Sequence, residues 1–410
     1  MSWSDKNSEY LAPAYTKLPV TITKGNGCYL FDEEGNQYLD MFAGVGVNQL
    51  GYNHPALNKA VINQTKDMIH SPYHFYNPNA INYAQKISEY SIKGKVFFTT
   101  SGAEATESVL KMLYKRKIRT ADTRNKLVVF KNSFHGRTLG AVSLTRQPSV
   151  YQDYPITIFE PVEITPNSIE ELQDVIQKEN PLAFIMEPVL GSGGVLPITD
   201  DFMVKAREIC NETNTLLIMD EIQTGMGRTG TFFSYETSGI KPDAILFGKG
   251  SGGGIPLGGV IIGDKLLETY QKGDHGTTWA NPPLATSLGL AAMEVLVEQG
   301  VMNSKEKAMY LFNELMKIQD FCPHILTEIR FKGLMFGIST SLSTEMARKF
   351  QLSSLKNGIL IDVTQGNIIR LLPPLIITQS EIEEFLTAFK KTLNEFQIEN
   401  KLSLLPNGGQ

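Results

Sequence analysis

The sequence predicts an α/β protein, with a large domain on a mostly parallel central sheet and a smaller α+β domain beside it. Six short apolar runs point to the sheet: Val96–Thr99, Leu127–Phe130, Leu182–Met186, Leu216–Met219, Ala244–Phe247 and Val260–Ile262. Each is apolar without alternation, the pattern of a strand buried on both faces, and the longer amphipathic stretches between them read as crossover helices. After Val301 the texture changes to a long helical pattern over Ser304–Gln319, strand-like pieces at Gly333–Ile338 and Asn367–Leu371, and a charged helix around Glu381–Phe396. Helices and strands segregated in this way form an α+β unit.

These patterns place the large domain over residues 55–295 and build the small one from residues 1–54 and 296–410. Residues 16–40 alternate apolar and polar around Gly25–Gly27 and Glu34–Asn36, as a hairpin does. The closing Leu402–Gln410 reads as a loose tail. A chain of 410 residues, 42% hydrophobic and 20% charged, is long enough for a sizeable core and ordinary in composition. A net charge of −5 with no basic block leaves no electrostatic footprint for nucleic acid. Cys28, Cys210 and Cys322 stand alone, so neither a disulfide framework nor a zinc site is expected, and a reducing cytoplasm fits. The N-terminus lacks the basic-then-apolar order of a signal peptide, and no apolar run reaches the roughly 18 residues a membrane helix needs.

Several common chemistries lack their residues. The surroundings of Lys249 lack the first glycine and the trailing hydroxyl of a P-loop, and neither GxSxG nor HExxH occurs. His70 and His74 have ligand spacing, but Pro72 between them interrupts the helix that would align them, so no metal is expected. The clusters Gly191–Gly194 and Gly252–Gly254 do not form GxGxxG after a strand.

One constellation survives. Leu216–Met219 runs into Asp220, and Ala244–Phe247 runs into Gly248-Lys249-Gly250. Ligands of open α/β sheets bind at the carboxyl ends of the strands, so a carboxylate and a glycine-flanked lysine are expected to face one crevice. Pyridoxal phosphate chemistry uses both: the lysine condenses with the aldehyde, and the carboxylate pairs with the protonated ring nitrogen. A structural aspartate and a surface lysine are the plainer alternative. A possible phosphate cradle lies at Thr100–Ala105, where Ser101 and Glu104 have capping-box spacing, Gly102 allows close approach and a helix dipole opens.

Taken together, Thr100–Ala105, Phe134-His135-Gly136-Arg137-Thr138, Glu187-Pro188, Asp220–Arg228, Lys249, Gly276-Thr277-Thr278 and Arg370–Pro374 resemble the class III pyridoxal-phosphate-dependent aminotransferases, nearest their acetylornithine and ornithine branch. The likeness runs from about Leu18 to Phe396. It implies fold type I of the pyridoxal-phosphate-dependent transferases and a ping-pong transfer of an amino group from an ω-amino donor such as N-acetylornithine or ornithine to 2-oxoglutarate. The alternatives are a racemase, aminomutase or decarboxylase on the same scaffold, an ω-amine:pyruvate transaminase, or a cofactor-free binding protein.

By that resemblance Lys249 carries the cofactor and moves the proton, Asp220 holds the pyridinium and Gln223 the ring hydroxyl, while Phe134 and Ile222 sandwich the ring. Ser101, Gly102 and Ala103 hold the phosphate, and Glu187 belongs to the cofactor site. Thr278 reaches the phosphate from a neighbouring subunit, which implies a homodimer with a shared active site. Thr277 touches substrate, Arg370 clamps its α-carboxylate, and Arg137 meets the distal carboxylate, as two buried cations selecting a dicarboxylate. Two departures stand out. Ser192 occupies the place of a glutamate that pairs with the clamp arginine, which leaves Arg370 unpaired and favours α-carboxylate donors or pyruvate-type acceptors. Pro72-Tyr73-His74 reshapes a loop at the substrate entrance.

Overall fold

The computed structural model describes residues 2–155 and 158–400, so the closing tail lies outside the described residues. Near the N-terminus β1 (Ile22–Asn26), β2 (Tyr29–Asp32) and β3 (Gln37–Asp40) form an antiparallel meander, one strand more than a simple hairpin, because both turn clusters are used. Asp32 closes the second turn by accepting from the N–H groups of Glu34 and Asn36 at 3.0 and 2.8 Å.

The central sheet begins with β4 (Lys95–Thr99), β5 (Lys126–Phe130), β6 (Glu160–Ile164) and β7 (Ala183–Met186). A two-strand ribbon, β8 (Val189–Leu190) and β9 (Leu196–Pro197), follows and carries the Gly191–Gly194 turn. The sheet resumes with β10 (Leu216–Asp220), β11 (Ala244–Phe247) and β12 (Gly258–Ile262). Its spatial order is β4-β12-β11-β10-β7-β5-β6.

Every apolar run of the sequence is a strand here. β6 escapes apolar patterning because it lies at the edge and carries Glu160, Pro161 and Glu163. The sheet is parallel except at β12, which runs antiparallel to both neighbours. Gly259 lets β12 fit there, since a Cβ would lie 2.5 Å from the Phe97 carbonyl and 2.4 Å from the Phe247 ring.

Crossover helices start where side chains satisfy the first-turn N–H groups. Thr199 accepts from Phe202 N–H at 3.2 Å and Ser168 from Glu171 N–H at 3.3 Å, each followed by acidic residues that suit the helix dipole. Beneath them an aromatic cluster fills the space against the sheet: Phe130 meets Phe184 edge-on at 5.3 Å and Phe202 at 5.6 Å.

The C-terminal part holds β13 (Leu326–Lys332), β14 (Met335–Thr340), β15 (Ile359–Leu360), β16 (Asp362–Thr364) and β17 (Ile368–Leu371). β13, β14, β17 and β16 make one antiparallel sheet in that order, while β15 pairs parallel with β3 and joins the C-terminal part to the opening meander. The helical patterns appear as Lys305–Phe321 and Gln379–Glu399, the latter opened by a Thr378–Glu381 capping box. No helix among the described residues is long and apolar enough to cross a membrane.

Phe184 is fully buried at the centre of the aromatic cluster. Phe184→Ala is expected to lower unfolding stability by about 3–5 kcal/mol in urea denaturation; a loss below about 1 kcal/mol would show that the cluster closes over the gap.

Candidate active site

β10 and β11 are parallel with Asp220 opposite Leu246, so both strands deliver their next residues to the same sheet edge. Asp220 ends β10 and Lys249 opens the short helical turn just past β11. Lys249 holds a left-handed φ of 47°, a backbone state that costs a side-chain-bearing residue about a kcal/mol or more.

These two residues line one cavity of about 230 Å³ together with Gly102, Ala103, Phe134, Arg137, Glu187, Ile222 and Gln223, all anticipated, and with His135, Gly136 and Ser192. Asp220 is buried and is held from two sides. Its Oδ2 lies 2.7 Å from Nδ1 of His135, and its Oδ1 accepts the Ile222 N–H at 3.2 Å. His135 is itself buried; burial works against its protonation, but the Asp220 carboxylate outweighs this and raises its pKa above the ordinary value. The motif at Phe134–Thr138 contains His135 without assigning it a role. The signal was its place beside Phe134, yet the pairing with Asp220 spans distant segments and appears only in three dimensions.

Glu187 is buried, and its Oε1 accepts the Phe134 N–H at 2.8 Å, fixing the loop after β5 that carries the ring. Burial pushes its carboxyl up to about 7, against the pull of His135. Lys249 is partly accessible through the cavity it lines, yet its amine is largely stripped of water. That desolvation brings it down to about 8; Asp220 resists the shift and the positive charge of Arg370 adds to it. The neutral, nucleophilic fraction of the amine near physiological pH is therefore far larger than in an ordinary lysine, though still the minor form.

The helix Gly102–Thr120 aims its N-terminus at the cavity. Its first intrahelical bond runs from Ala105 N–H to Ser101 O, which leaves the N–H groups of Gly102 and Ala103 without helical partners and available to an anion. Ser101 caps the helix by accepting from Glu104 N–H at 3.2 Å. The expected reciprocal box is only half made, because the Glu104 carboxylate turns to Thr100, accepting from its N–H at 2.7 Å and its hydroxyl at 2.6 Å. Ser101 itself does not line the cavity. Gly102 is required by contact, since a Cβ would lie 2.8 Å from the Ile222 side chain.

The other anticipated residues fall elsewhere. Arg137 is exposed and stacks on the Phe134 ring at 5.7 Å, so the expectation of two buried cations holds only for Arg370. Arg370 is outside the cavity lining but near enough for its charge to act on Lys249. It is not unpaired: Asp362, directly across the sheet, takes its Nε at 2.8 Å and its Nη2 at 2.6 Å. The expectation of an unpaired Arg370 fails because a cross-strand neighbour, invisible to sequence spacing, supplies the counter-charge. Thr277 and Thr278 sit on a partly exposed segment away from the cavity, with Trp279 N–H donating to Thr277 Oγ1 at 3.3 Å. The Pro72–His74 loop also lies outside the cavity lining, and His70 beside it packs edge-on against Trp279 at 4.7 Å.

A desolvated lysine amine beside a carboxylate, a ring to stack on and a free helix N-terminus define a site for a phosphorylated aldehyde cofactor. Comparison with known proteins agrees. Residues 10–393 match the model of the aminotransferase class-III family. The chain is 37% identical over 391 residues to acetylornithine aminotransferase of Caldanaerobacter subterraneus, covering 95% of this chain and 98% of that one. It is 34% identical to acetylornithine aminotransferase of Methanocaldococcus jannaschii, covering 97% and 99%. Among solved structures, ornithine aminotransferase of Toxoplasma gondii superposes with a TM-score of 0.91 at 27% identity over 97% of this chain and 95% of that one. The chain belongs to the class-III aminotransferases.

The cofactor of this family is pyridoxal 5'-phosphate, and the residues present fit it: Gln223, whose buried Oε1 has no partner, lines the cavity, and at Gly102 a Cβ would crowd the Ile222 side chain at 2.8 Å. Borohydride labelling of the apo-protein with pyridoxal 5'-phosphate is expected to fall on Lys249. Only the neutral amine reacts, so with a midpoint near 8 the labelling rate should climb about tenfold between pH 7 and 9 and then level off. A rise continuing unbroken to pH 10 would mark an ordinary lysine.

Proposed function

We propose that this aminotransferase moves the ω-amino group of N-acetylornithine, ornithine or a closely similar donor to 2-oxoglutarate in a ping-pong cycle, in the cytoplasm, as a homodimer that shares its active sites. The observation that carries the reading is the convergence of Lys249 and Asp220 on a cavity served by two arginines, Arg137 at its wall and Arg370 within electrostatic reach. Two cations set apart suit a dicarboxylate acceptor, and the acetylornithine and ornithine aminotransferases named above support the donor.

When bound, pyridoxal 5'-phosphate supplies an aldehyde to receive the amine and a ring to withdraw electrons. The chain does the rest. Gly102 and Ala103 N–H groups bind the phosphate, with Ser101 holding the helix end in place. Phe134 and Ile222 confine the ring, Gln223 bonds its hydroxyl, and Asp220, steadied by His135, keeps its nitrogen protonated. Glu187 secures Phe134. The Lys249 amine would hold the aldehyde and, when free, would move the proton at the substrate's amine-bearing carbon. Arg370 receives the α-carboxylate and Arg137 the distal one.

The dimer accounts for residues a single chain leaves aside. Thr278 is exposed beside Trp279, against which His70 packs, and Trp279 together with Tyr73, Phe75 and Tyr76, a few residues past His70, is more than half exposed. A second copy laid on this face covers them and brings Thr278 to the partner's phosphate and Thr277 to its substrate.

A panel of donors against 2-oxoglutarate and pyruvate, followed by half-reaction absorbance, is expected to show conversion with N-acetylornithine or ornithine and preference for 2-oxoglutarate. Absence of oxo-acid formation with every ω-amine would overturn the substrate class. Asp220→Asn is expected to retain the cofactor and lower kcat by on the order of 10²–10³, the usual size of a lost electrostatic contact to the reacting group. A loss below about tenfold would remove Asp220 from this role.

A further inference from the structure

The Arg370–Asp362 pair has a geometry that a plain structural salt bridge does not need. Arg370 is buried, its side chain 7% exposed, and Asp362 is the one acidic side chain within ion-pair reach of it among the described residues. A single oxygen, Oδ2, receives both Nε and Nη2, so the carboxylate grips one edge of the guanidinium. The Nη1 group is buried and has no partner. Five N–H donors minus the two engaged leave the Nη1–Nη2 end able to take a second carboxylate in two parallel bonds.

The pair is also tied to the cavity. The turn from β16 to β17 donates twice to the Ser192 carbonyl, from Thr364 Oγ1 and from Gln365 Nε2, both at 2.8 Å, and Ser192 lines the cavity. The hairpin carrying Asp362 and Arg370 thus abuts the cavity wall at Ser192, and Arg370's charge registers at the Lys249 amine.

We propose that Asp362 is the specificity-determining counter-ion of Arg370, neutralising it when the bound substrate brings no carboxylate to that end and competing with the carboxylate when one arrives. This deepens the function proposed above and rests on it. The reacting carbon of an ω-amino donor bears hydrogens where an α-amino acid bears a carboxylate, so such a donor leaves Arg370 a buried cation unless the protein balances it. Asp362 does so permanently: it sits directly across the ladder from Arg370, on a strand that cannot withdraw, so only side-chain rotation can release it. The cost falls on the oxo acid, which meets an arginine already half engaged.

The test uses the holoenzyme and glutarate, a dicarboxylate that binds without reacting, titrated by the cofactor's absorbance. Asp362→Asn keeps the shape and removes the charge; it is expected to tighten glutarate about tenfold while slowing the single-turnover reaction with N-acetylornithine or ornithine about tenfold. Arg370→Gln should weaken glutarate at least tenfold, and adding Asp362→Asn to it should change glutarate affinity no further. Opposite shifts of the two sides are the result a merely structural role would not give. If Asp362→Asn weakens or leaves unchanged the affinity for glutarate, or still alters it in the Arg370→Gln background, the counter-ion role is overturned. Should the glutarate pattern hold while the wild-type enzyme converts no ω-amine, the substrate reading falls and the counter-ion role stands.

Discussion

The parallel pairing of β10 with β11 is the constraint on which the site depends. Parallel strands present their carboxyl ends on one side, so the residues leaving both strands emerge next to each other whatever the length of the crossover between them. Asp220 and Lys249 are neighbours for this reason alone. A shift of one residue in that register would turn the Asp220 side chain to the opposite face of the sheet and separate the carboxylate from the amine.

A buried carboxylate and a buried ammonium are costly unless each is answered, and the surroundings of the site are arranged to answer them. Asp220 has the His135 ring and the Ile222 N–H. Lys249 has Asp220 and Glu187, and gives up part of its charge instead, with a midpoint near 8. Arg370 has Asp362. Each partner stands on a strand, a strand end or a tightly held turn, so the charges are positioned before any ligand arrives and need little reorganisation when one does.

Much of this was legible from residue order. The apolar runs marked six of the seven central strands, and the turn residues after β10 and β11 marked the crevice. What escaped has a common cause. β6 carries two glutamates and a proline because its edge position leaves it half in water, so its apolar signal is diluted. The Glu104 carboxylate chose Thr100 over Ser101 because two donors there were within reach. Thr277 and Thr278 carry a family-like motif and the Pro72–His74 loop departs from one, yet all lie outside the cavity lining of one chain, and no local pattern could reveal that.

By itself the sequence determined which side chains are available for chemistry and which strand ends carry them, because strand patterning and turn residues are local properties written into consecutive positions. Only the tertiary structure decided how the charges are balanced. Asp362 lies eight positions from Arg370 and His135 lies far from Asp220 along the chain, and each pair exists because strand pairing and sheet packing bring separate segments within hydrogen-bond distance, where Coulomb and desolvation energies, rather than spacing, select the partner.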